Sequence, residues 1–467
     1  MTGKVINMKR TKKLVSSIAL AMVFCFTFAL PTLAAPGDQA PAISTAAITK
    51  ELHVPIGTVL PTDLSYEFHI KQMWEDEKTP TANMPKIGQD LVPPVPGTGK
   101  ITVDFFGNPS GVNHDNPVGD TEVYWKESAE LFGNITWPHA GVFEYEIREL
   151  AGTNNTNHPN PPPSPPDPVP PYEVSTYSGA AYSVKVYVGV DDDTGDLVIT
   201  HIGALRIIDD KGNQVPDEEQ EKLIVTPGGG TGADYSYDRS QMIFVNTYVK
   251  TNGGPDVEDP DDWTLAINKE VAGDMSDPTV YFAFNMKITK PSLVSGAPTY
   301  LAYVVEENPT TNNFEIVTSS DNFSGTIGSG GSIPFKTGET VNFKLKHGQW
   351  LAFTDTPVGT NYVVSEVGSA GYAPSATING GFKEQGEKGA GLLIPDIDPQ
   401  TENIHYIVPL YVENGDSMVL FLNDRGEISQ TGINTDNLPF IALFAVMTMA
   451  LAGFIVYRVR REKKYNV

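Results

Sequence analysis

Nine residues at positions 141–149, GVFEYEIRE, decide the fold class. Apolar and polar side chains alternate through them, which puts the apolar set on one face of an extended strand. Similar short runs recur along the chain, at residues 66–70, 183–190, 242–248, 341–345 and 361–366. Gly- and Pro-containing turn segments separate these runs, and this spacing predicts an all-β protein made of sandwiches.

The length of the chain suits two domains better than one, because about 400 residues remain between two atypical ends. The sequence predicts two tandem Ig-like β-sandwich domains at residues 35–250 and 263–427, joined by a polar linker at 251–262. The first domain contains a proline-rich loop at 159–171, which we expect to be an exposed polyproline II spacer.

The first 34 residues have the features of a secretory signal peptide. A basic cluster precedes an apolar stretch, and small residues near Ala34 suit a cleavage site. Cys25 is the single cysteine and would be removed with this segment. The mature chain would then have no disulfide and no thiolate site, so an exported protein must gain its resistance to unfolding in another way.

The last 40 residues combine three signals. The motif Ile428-Ser-Gln-Thr-Gly432 is followed by the apolar span Leu438–Tyr457 and a basic tail at 458–464. About twenty apolar residues can cross a bilayer as a helix, and basic residues favour its cytoplasmic side. The order resembles a Gram-positive cell-wall sorting signal with a transmembrane sorting helix, which implies sortase cleavage between Thr431 and Gly432. A retained membrane anchor stays an alternative, because the motif begins Ile-Ser rather than the commoner Leu-Pro.

Charge and composition exclude several function classes. Without the two ends the chain has 22 basic and 55 acidic residues, a net charge of roughly −33, whereas nucleic-acid binding needs a basic surface. The eight histidines show no paired ligand spacing, and no nucleophile motif is present. The DDDTGD segment at 191–196 is explained more simply by a hairpin turn than by calcium. We therefore expect no metal, no cofactor and no enzymatic turnover.

Each predicted domain contains the same three elements in the same order. A Lys lies on its first strand, a Glu ends a Tyr-x-[Ile/Val]-x-Glu strand, and an Asn ends a Phe-x-Asn strand. The Lys-to-Glu separation is 99 positions in the first domain and 97 in the second. These residues are Lys50, Glu149 and Asn246, and then Lys269, Glu366 and Asn423. One plan is used twice.

The first domain resembles the streptococcal-type pilin domain that forms an intramolecular isopeptide bond, and the second is similar to related pilin-like modules of Gram-positive surface proteins. The resemblance implies an autocatalytic Lys–Asn bond assisted by a Glu. On matching positions these are Lys50–Asn246 with Glu149, and Lys269–Asn423 with Glu366. Burial should lower the lysine pKa and keep the glutamic acid neutral, so that it can hydrogen-bond the Asn carbonyl and polarise it.

The resemblance and the export signals together imply a cell-wall-anchored structural surface protein, a pilin or pilus-like subunit. Its implied partners are sortase and either peptidoglycan or other pilin subunits, with the membrane as a transient anchor. Lys222 and Lys250 are candidates for the lysine that would join subunits. An adhesin that uses the domains as a stalk for host surface ligands stays an alternative.

Overall fold

The computed structural model describes residues 44–61, 64–105, 113–115, 117–150, 173–228, 238–367, 371–379, 382–383, 387–388, 391–393, 396–397, 404–405, 410–412 and 417–426. The predicted signal peptide, proline-rich loop and sorting signal lie outside these residues. Within the described ranges, no helix is long and apolar enough to cross a membrane. Helical geometry there is confined to three short 3₁₀ turns, at Asp217–Glu219, Pro260–Asp262 and Ser329–Gly331. The prediction of an all-β protein is confirmed.

The strands up to residue 250 form two sheets that face each other, here called the first sandwich. Its strands are β1 Thr49–Pro55, β2 Ser65–Glu75, β3 Gln89–Asp90, β4 Thr98–Asp104, β5 Asn113–His114, β6 Thr121–Glu127, β7 Gly141–Leu150, β8 Glu173–Thr176, β9 Ala181–Val190, β10 Leu197–Ile208, β11 Lys222–Leu223 and β12 Ile243–Lys250. One sheet has the order β5-β6-β1-β12-β8, and the other has the order β11-β10-β9-β7-β2-β4-β3. The first and last strands are therefore neighbours in one sheet.

The strands from residue 265 onward repeat this plan in the second sandwich. They are β13 Leu265–Ala272, β14 Phe282–Thr289, β15 Thr299–Glu307, β16 Phe314–Ile316, β17 Ile333–Lys336, β18 Thr340–Leu345, β19 Gln349–Phe353, β20 Asn361–Val367, β21 Ala373–Asn379, β22 Phe382–Lys383, β23 Glu387–Lys388, β24 Gly391–Leu393, β25 Asp396–Ile397, β26 Ile404–His405, β27 Leu410–Tyr411 and β28 Ser417–Asp424. The main sheets have the orders β16-β15-β19-β13-β28-β21-β24 and β18-β14-β20-β27-β22-β23. Here too the first strand pairs with the last, β13 with β28.

The alternating runs of the sequence account for the core. In β7, Phe143, Tyr145 and Ile147 are fully buried, whereas the intervening glutamates are only partly buried. The buried apolar side chains of the facing sheets meet in one main cluster in each sandwich, and a smaller cluster around Trp263 adjoins the second. At about 25 cal/mol for each Å² of apolar surface buried, these layers are the main source of stability.

The segment predicted as a linker, 251–262, lies between β12 and β13, and its Val257 packs against the cluster around Trp263. The Trp263 indole N–H donates to the Val257 carbonyl at 2.7 Å, and the Trp263 ring is buried against Phe314 and Trp350. A 3₁₀ turn capped by the Asp259 carboxylate folds the segment back on itself. The polar residues of this linker thus make turn and capping contacts.

The acidic segment at 191–196 forms the predicted hairpin turn between β9 and β10. The Asp191 carboxylate accepts hydrogen bonds from the backbone N–H groups of Asp193 and Thr194, at 3.0 and 2.8 Å. Gly195 adopts a left-handed φ of 77°, which glycine tolerates without a Cβ clash. Turn chemistry thus accounts for these residues.

Candidate functional site

Site 1 is the set Lys50, Glu149 and Asn246 in the first sandwich. β1 and β12 run parallel, with Lys50 opposite Phe244, so that Asn246 lies two residues beyond that partner. Side chains alternate between faces, and a two-residue step therefore leaves the Lys and the Asn on the same face. Glu149 comes from the facing sheet, where it lies opposite Phe68. The sandwich brings all three side chains together.

Site 2 is the set Lys269, Glu366 and Asn423 in the second sandwich, and its register is the same. Lys269 lies opposite Phe421 in the parallel β13–β28 pair, with Asn423 again two residues further on. Glu366 lies opposite Phe284 in the facing sheet, just as Glu149 lies opposite a phenylalanine. The repeated order of motifs therefore corresponds to a repeated three-dimensional arrangement.

In site 1 the carboxylate of Glu149 bridges the other two side chains. Lys50 Nζ donates to Glu149 Oε2 at 2.9 Å and to the Phe244 carbonyl at 3.1 Å. Asn246 Nδ2 donates to the other carboxylate oxygen, Oε1, at 2.6 Å. On the opposite side of the amide, Asn246 Oδ1 accepts the Ser178 backbone N–H at 2.7 Å. The Lys and Glu side chains have no solvent exposure.

In site 2 the carboxylate of Glu366 has the same bridging position. Lys269 Nζ lies 3.0 and 3.2 Å from its two oxygens, and Asn423 Nδ2 donates to Oε1 at 2.6 Å. The three residues are at most 1% exposed. Asn423 Oδ1 is buried and accepts no hydrogen bond from any residue that the structure describes. The sites therefore match around the carboxylate but differ at the amide oxygen.

Burial moves both partners of each ion pair toward their neutral forms. Loss of hydration lowers the pKa of Lys50 to about 8 and that of Lys269 to about 8, although each neighbouring glutamate opposes the change. Burial likewise raises the pKa of Glu149 and Glu366 above the usual carboxyl range, against the attraction of the lysine. A neutral amine beside a neutral acid is the state that can attack a carbonyl carbon.

An aromatic ring faces each lysine, a feature that the sequence analysis did not assign to the site. The Tyr66 ring centroid lies 4.7 Å from Lys50 Nζ, and the Phe282 ring centroid lies 4.4 Å from Lys269 Nζ. Each ring begins an aromatic-x-Phe pattern on the strand that follows the lysine strand. The repetition of that pattern was the available signal. A ring face limits water access and attracts the ammonium form.

The phenylalanines beside each site pack across the sandwich. The rings of Phe68 and Phe244 have centroids 4.9 Å apart, and those of Phe284 and Phe421 are 5.2 Å apart, both pairs edge to face. Edge-to-face pairs are favourable and fix the spacing between sheets. That spacing holds the glutamate of one sheet against the lysine and asparagine of the other.

The contact expected between the glutamic acid and the asparagine carbonyl is corrected by the structure. Glu149 and Glu366 meet the amide nitrogen of Asn246 and Asn423, not the oxygen. In site 1 the reason is visible, because a backbone N–H can only donate and therefore requires the amide oxygen to face Ser178. The glutamate is thus placed at the amide nitrogen of the asparagine.

The remaining predicted functional residues are separate from the two sites. Lys222 is exposed on the short edge strand β11, whereas Lys250 is half-buried at the end of β12 and has a pKa lowered by burial. Thr431 and Gly432 lie outside the described residues. No group of His, Cys, Asp and Glu able to hold a metal ion occurs in the part of the chain that the structure covers.

Two family models match the chain. Residues 47–249 match the Spy0128-like isopeptide containing domain, FctA, and residues 263–391 match a domain of unknown function, DUF7601. No curated protein matches the chain.

Several solved structures are similar to the chain at low identity. The major pilin from Streptococcus pyogenes is 16% identical, with a TM-score of 0.26, over 82% of this chain and 99% of that one. The T3.2 major pilin of the same species is 14% identical, with a TM-score of 0.27, over 83% and 100%. The pilus-presented adhesin Spy0125 (Cpa) is 15% identical, with a TM-score of 0.21, over 52% and 36%.

Proposed function

We propose that this protein, whose residues 47–249 form a pilin-type isopeptide domain, is a structural subunit of a Gram-positive surface pilus. Its two sandwiches would each carry one autocatalytic Lys–Asn isopeptide bond. The observation that supports this most strongly is the pair of buried Lys–Glu–Asn sites with identical strand register. Lysine is almost never fully buried in a protein unless it is paired with an opposite charge, and burial of such a pair has a large desolvation cost. Two such buried lysines therefore favour a chemical role over a purely structural one.

The geometry of site 1 supports a reaction in which Glu149 carries protons between Lys50 and Asn246. The ammonium of Lys50 gives one proton to Glu149, which leaves a neutral amine and a neutral acid. The amine nitrogen attacks Asn246 Cγ, and the carbonyl electron pair moves onto Oδ1. Glu149 donates its proton to Nδ2 and recovers one from Nζ, after which the Cγ–Nδ2 bond breaks and ammonia leaves.

Site 2 has the groups for the same sequence of steps. Lys269 would be the nucleophile, Asn423 the electrophile and Glu366 the proton carrier, since each carboxylate oxygen is within hydrogen-bond reach of its partner. Each site reacts once, within one chain, so no substrate is turned over. Proximity in a rigid sandwich replaces the binding step of an enzyme.

A bond between the first and last strands suits a protein that is pulled from its ends. Force that enters before β1 and leaves after β12 would pass through the covalent link rather than through the hydrogen-bonded ladder. Because β1 pairs with β12 and β13 pairs with β28, a link between these strands lets the force bypass nearly all of the chain within each sandwich. A thin surface fibre needs this property.

Attachment to the cell surface would use the C-terminal signals. Sortase would cleave between Thr431 and Gly432 and join the Thr carbonyl to an amine of the wall or of another subunit. Until then Leu438–Tyr457 would hold the chain in the membrane. The protein would thus be exported, briefly membrane-anchored and finally wall-linked.

Wall extracts of the producing bacterium test the proposal. A pilus subunit should give a ladder of multimers that resist sodium dodecyl sulfate, and Thr431→Ala should abolish the ladder and leave the chain in the membrane fraction. The variant should keep its internal bonds, because sites 1 and 2 do not include Thr431. A monomer that binds a host protein would favour the adhesin, and a parent chain found only in the membrane would favour a retained anchor.

A further inference from the structure

The amide oxygen of Asn246 already has a strong donor in site 1. The Ser178 backbone N–H lies 2.7 Å from Oδ1, in a pocket where Asn246 is 1% exposed. The same N–H also acts on the carboxylate of Glu149, where it slightly opposes the rise in pKa that burial causes. Attack on Cγ turns Oδ1 into an oxyanion, and a preorganised backbone donor in a water-free site is the kind of group that stabilises such charge.

The local fold frees this N–H from the sheet. β8 pairs with β12 only as far as Thr176, opposite Thr247, and the chain then leaves the ladder. Ser178 Oγ donates to Asp210 Oδ1 at 2.5 Å, and the Val245 N–H, one residue before Asn246, donates to the same oxygen at 3.0 Å. Asp210 thereby connects the loop that follows β8 and contains Ser178, here called the donor loop, to β12, the strand that contains Asn246.

A close approach of two glycines completes this arrangement. Gly179 N–H donates to the Asp210 carbonyl at 2.8 Å. A Cβ at Gly179 would lie 2.7 Å from the Gly212 nitrogen and 2.9 Å from its Cα, which are backbone atoms that cannot move aside cheaply. Glycine is therefore required where the loop after β8 meets the turn after β10.

Site 2 has no equivalent donor among the residues that the structure describes. Its corresponding strand, β21, stays paired with β28 from Ala373 to Asn379, and the residue opposite Asn423 is Pro374. Proline has no N–H to offer. Asn423 Oδ1 is buried, and no described residue donates to it.

We infer that the Ser178 N–H is a catalytic oxyanion donor of site 1, and that its bond consequently forms before that of site 2. The inference rests on the proposed isopeptide chemistry. As the Lys50 Nζ–Cγ bond forms, the electron pair that leaves the carbonyl collects on Oδ1 beside this donor. It returns to restore the carbonyl when ammonia departs. Asp210 is a positioning residue, because it contacts the donor loop and not the reacting atoms.

Refolding kinetics test the inference within single molecules. The full chain, recovered unfolded from inclusion bodies and diluted from urea into detergent buffer, is sampled over time, digested and analysed by mass spectrometry. Each site is scored by its own cross-linked peptide, which is lighter than the sum of its two parts by about 17 Da, the mass of the ammonia lost. Ser178→Pro removes the N–H, and site 2 of the same molecules, which does not include Ser178, is the internal control.

The expected result is specific to site 1. In the parent chain site 1 should close at least about tenfold faster than site 2, and Ser178→Pro should slow site 1 by roughly 10²–10³-fold, the usual effect of losing one oxyanion donor. Site 2 should be unaffected in this variant. If the proline disturbs the loop, an ester bond in place of the Ser178 amide removes the N–H without ring constraint.

Two outcomes would overturn the inference, and they are distinguishable. If both bonds form in the parent but the ester variant leaves the site 1 rate within twofold, the donor is not catalytic although the proposed chemistry stands. If neither cross-linked peptide appears in the parent, the isopeptide proposal itself fails. Equal closure rates of the two sites in the parent would also contradict the inferred order.

Discussion

Replacement of Lys50 by methionine separates the effect of the proposed covalent link from that of the packing around it. Lys50 is fully buried, so its aliphatic stem is part of the core, and an unbranched methionine of similar length can fill that space. Volume-conserving exchanges usually cost less than about 1.5 kcal/mol. The main consequence of Lys50→Met should therefore be the loss of the bond to Asn246.

The size of the effect follows from the loop that the bond closes. Lys50 and Asn246 delimit about 197 residues, and the loop-entropy relation for cross-links gives about 5 kcal/mol for such a length. A typical domain has a free energy of unfolding of about 5–15 kcal/mol, so this change is large. We expect the free energy of unfolding of the first sandwich to fall by about 5 kcal/mol in Lys50→Met.

Hydrogen exchange in increasing urea, read by mass spectrometry, gives an opening free energy for each strand separately. The drop should appear in β1 and β12 and should leave β13 and β28 unchanged. Lys269→Met is the matched control, because it opens a loop of about 155 residues and should lower the second sandwich alone by a similar amount. An unchanged opening free energy of β1 and β12, despite loss of the cross-linked peptide, would refute the reasoning.

Two further predictions concern force and pH. In single-molecule pulling from the two ends, the first sandwich of the parent should release almost no length, whereas Lys50→Met should release up to about 700 Å, the extended length of the freed residues; equal extensions would contradict the proposed force path. In a chain carrying Asn246→Ala and Asn423→Ala, the lysines stay free, and their pKa values are about 8 in the folded state against an ordinary lysine pKa of 10.5 in the unfolded chain. The folded state then loses its protons before the unfolded state does, so the free energy of unfolding should rise between about pH 8 and 10.5 by roughly 3 kcal/mol for each lysine. Urea titrations across that range, compared with the same chain carrying methionine at both lysine positions, measure it, and a flat difference would exclude depressed lysine pKa values.

The all-β fold and the meeting of the two Lys, Glu and Asn sets were largely predictable from the sequence. Alternation in runs such as residues 141–149 predicts strands because a half-buried strand has a two-residue period. The two ordered sets of Lys, Glu and Asn are the groups that the sandwiches bring together. Local pattern and ordered motifs were sufficient here, because the same plan occurs twice in one chain.

Contacts that depend on how distant parts of the chain meet could not be predicted from the local sequence pattern. Ser178 contributes a backbone N–H, which every residue except proline has, and only the departure of β8 from the ladder turns it toward Asn246. The orientation of the asparagine amide depends on that contact. The linker at 251–262 is polar, which is compatible with both a flexible chain and a capped turn, and the packing of the adjacent Trp263 depends on distant Phe314 and Trp350.

The intact mass of the folded chain tests the central claim most directly. Two isopeptide bonds should make the purified parent about 34 Da lighter than the mass calculated from its own sequence, because each bond releases one ammonia of about 17 Da. The chain carrying Glu149→Gln and Glu366→Gln should show the full calculated mass, since it has no group to carry the proton. A parent chain that is folded and has its full calculated mass would contradict the account.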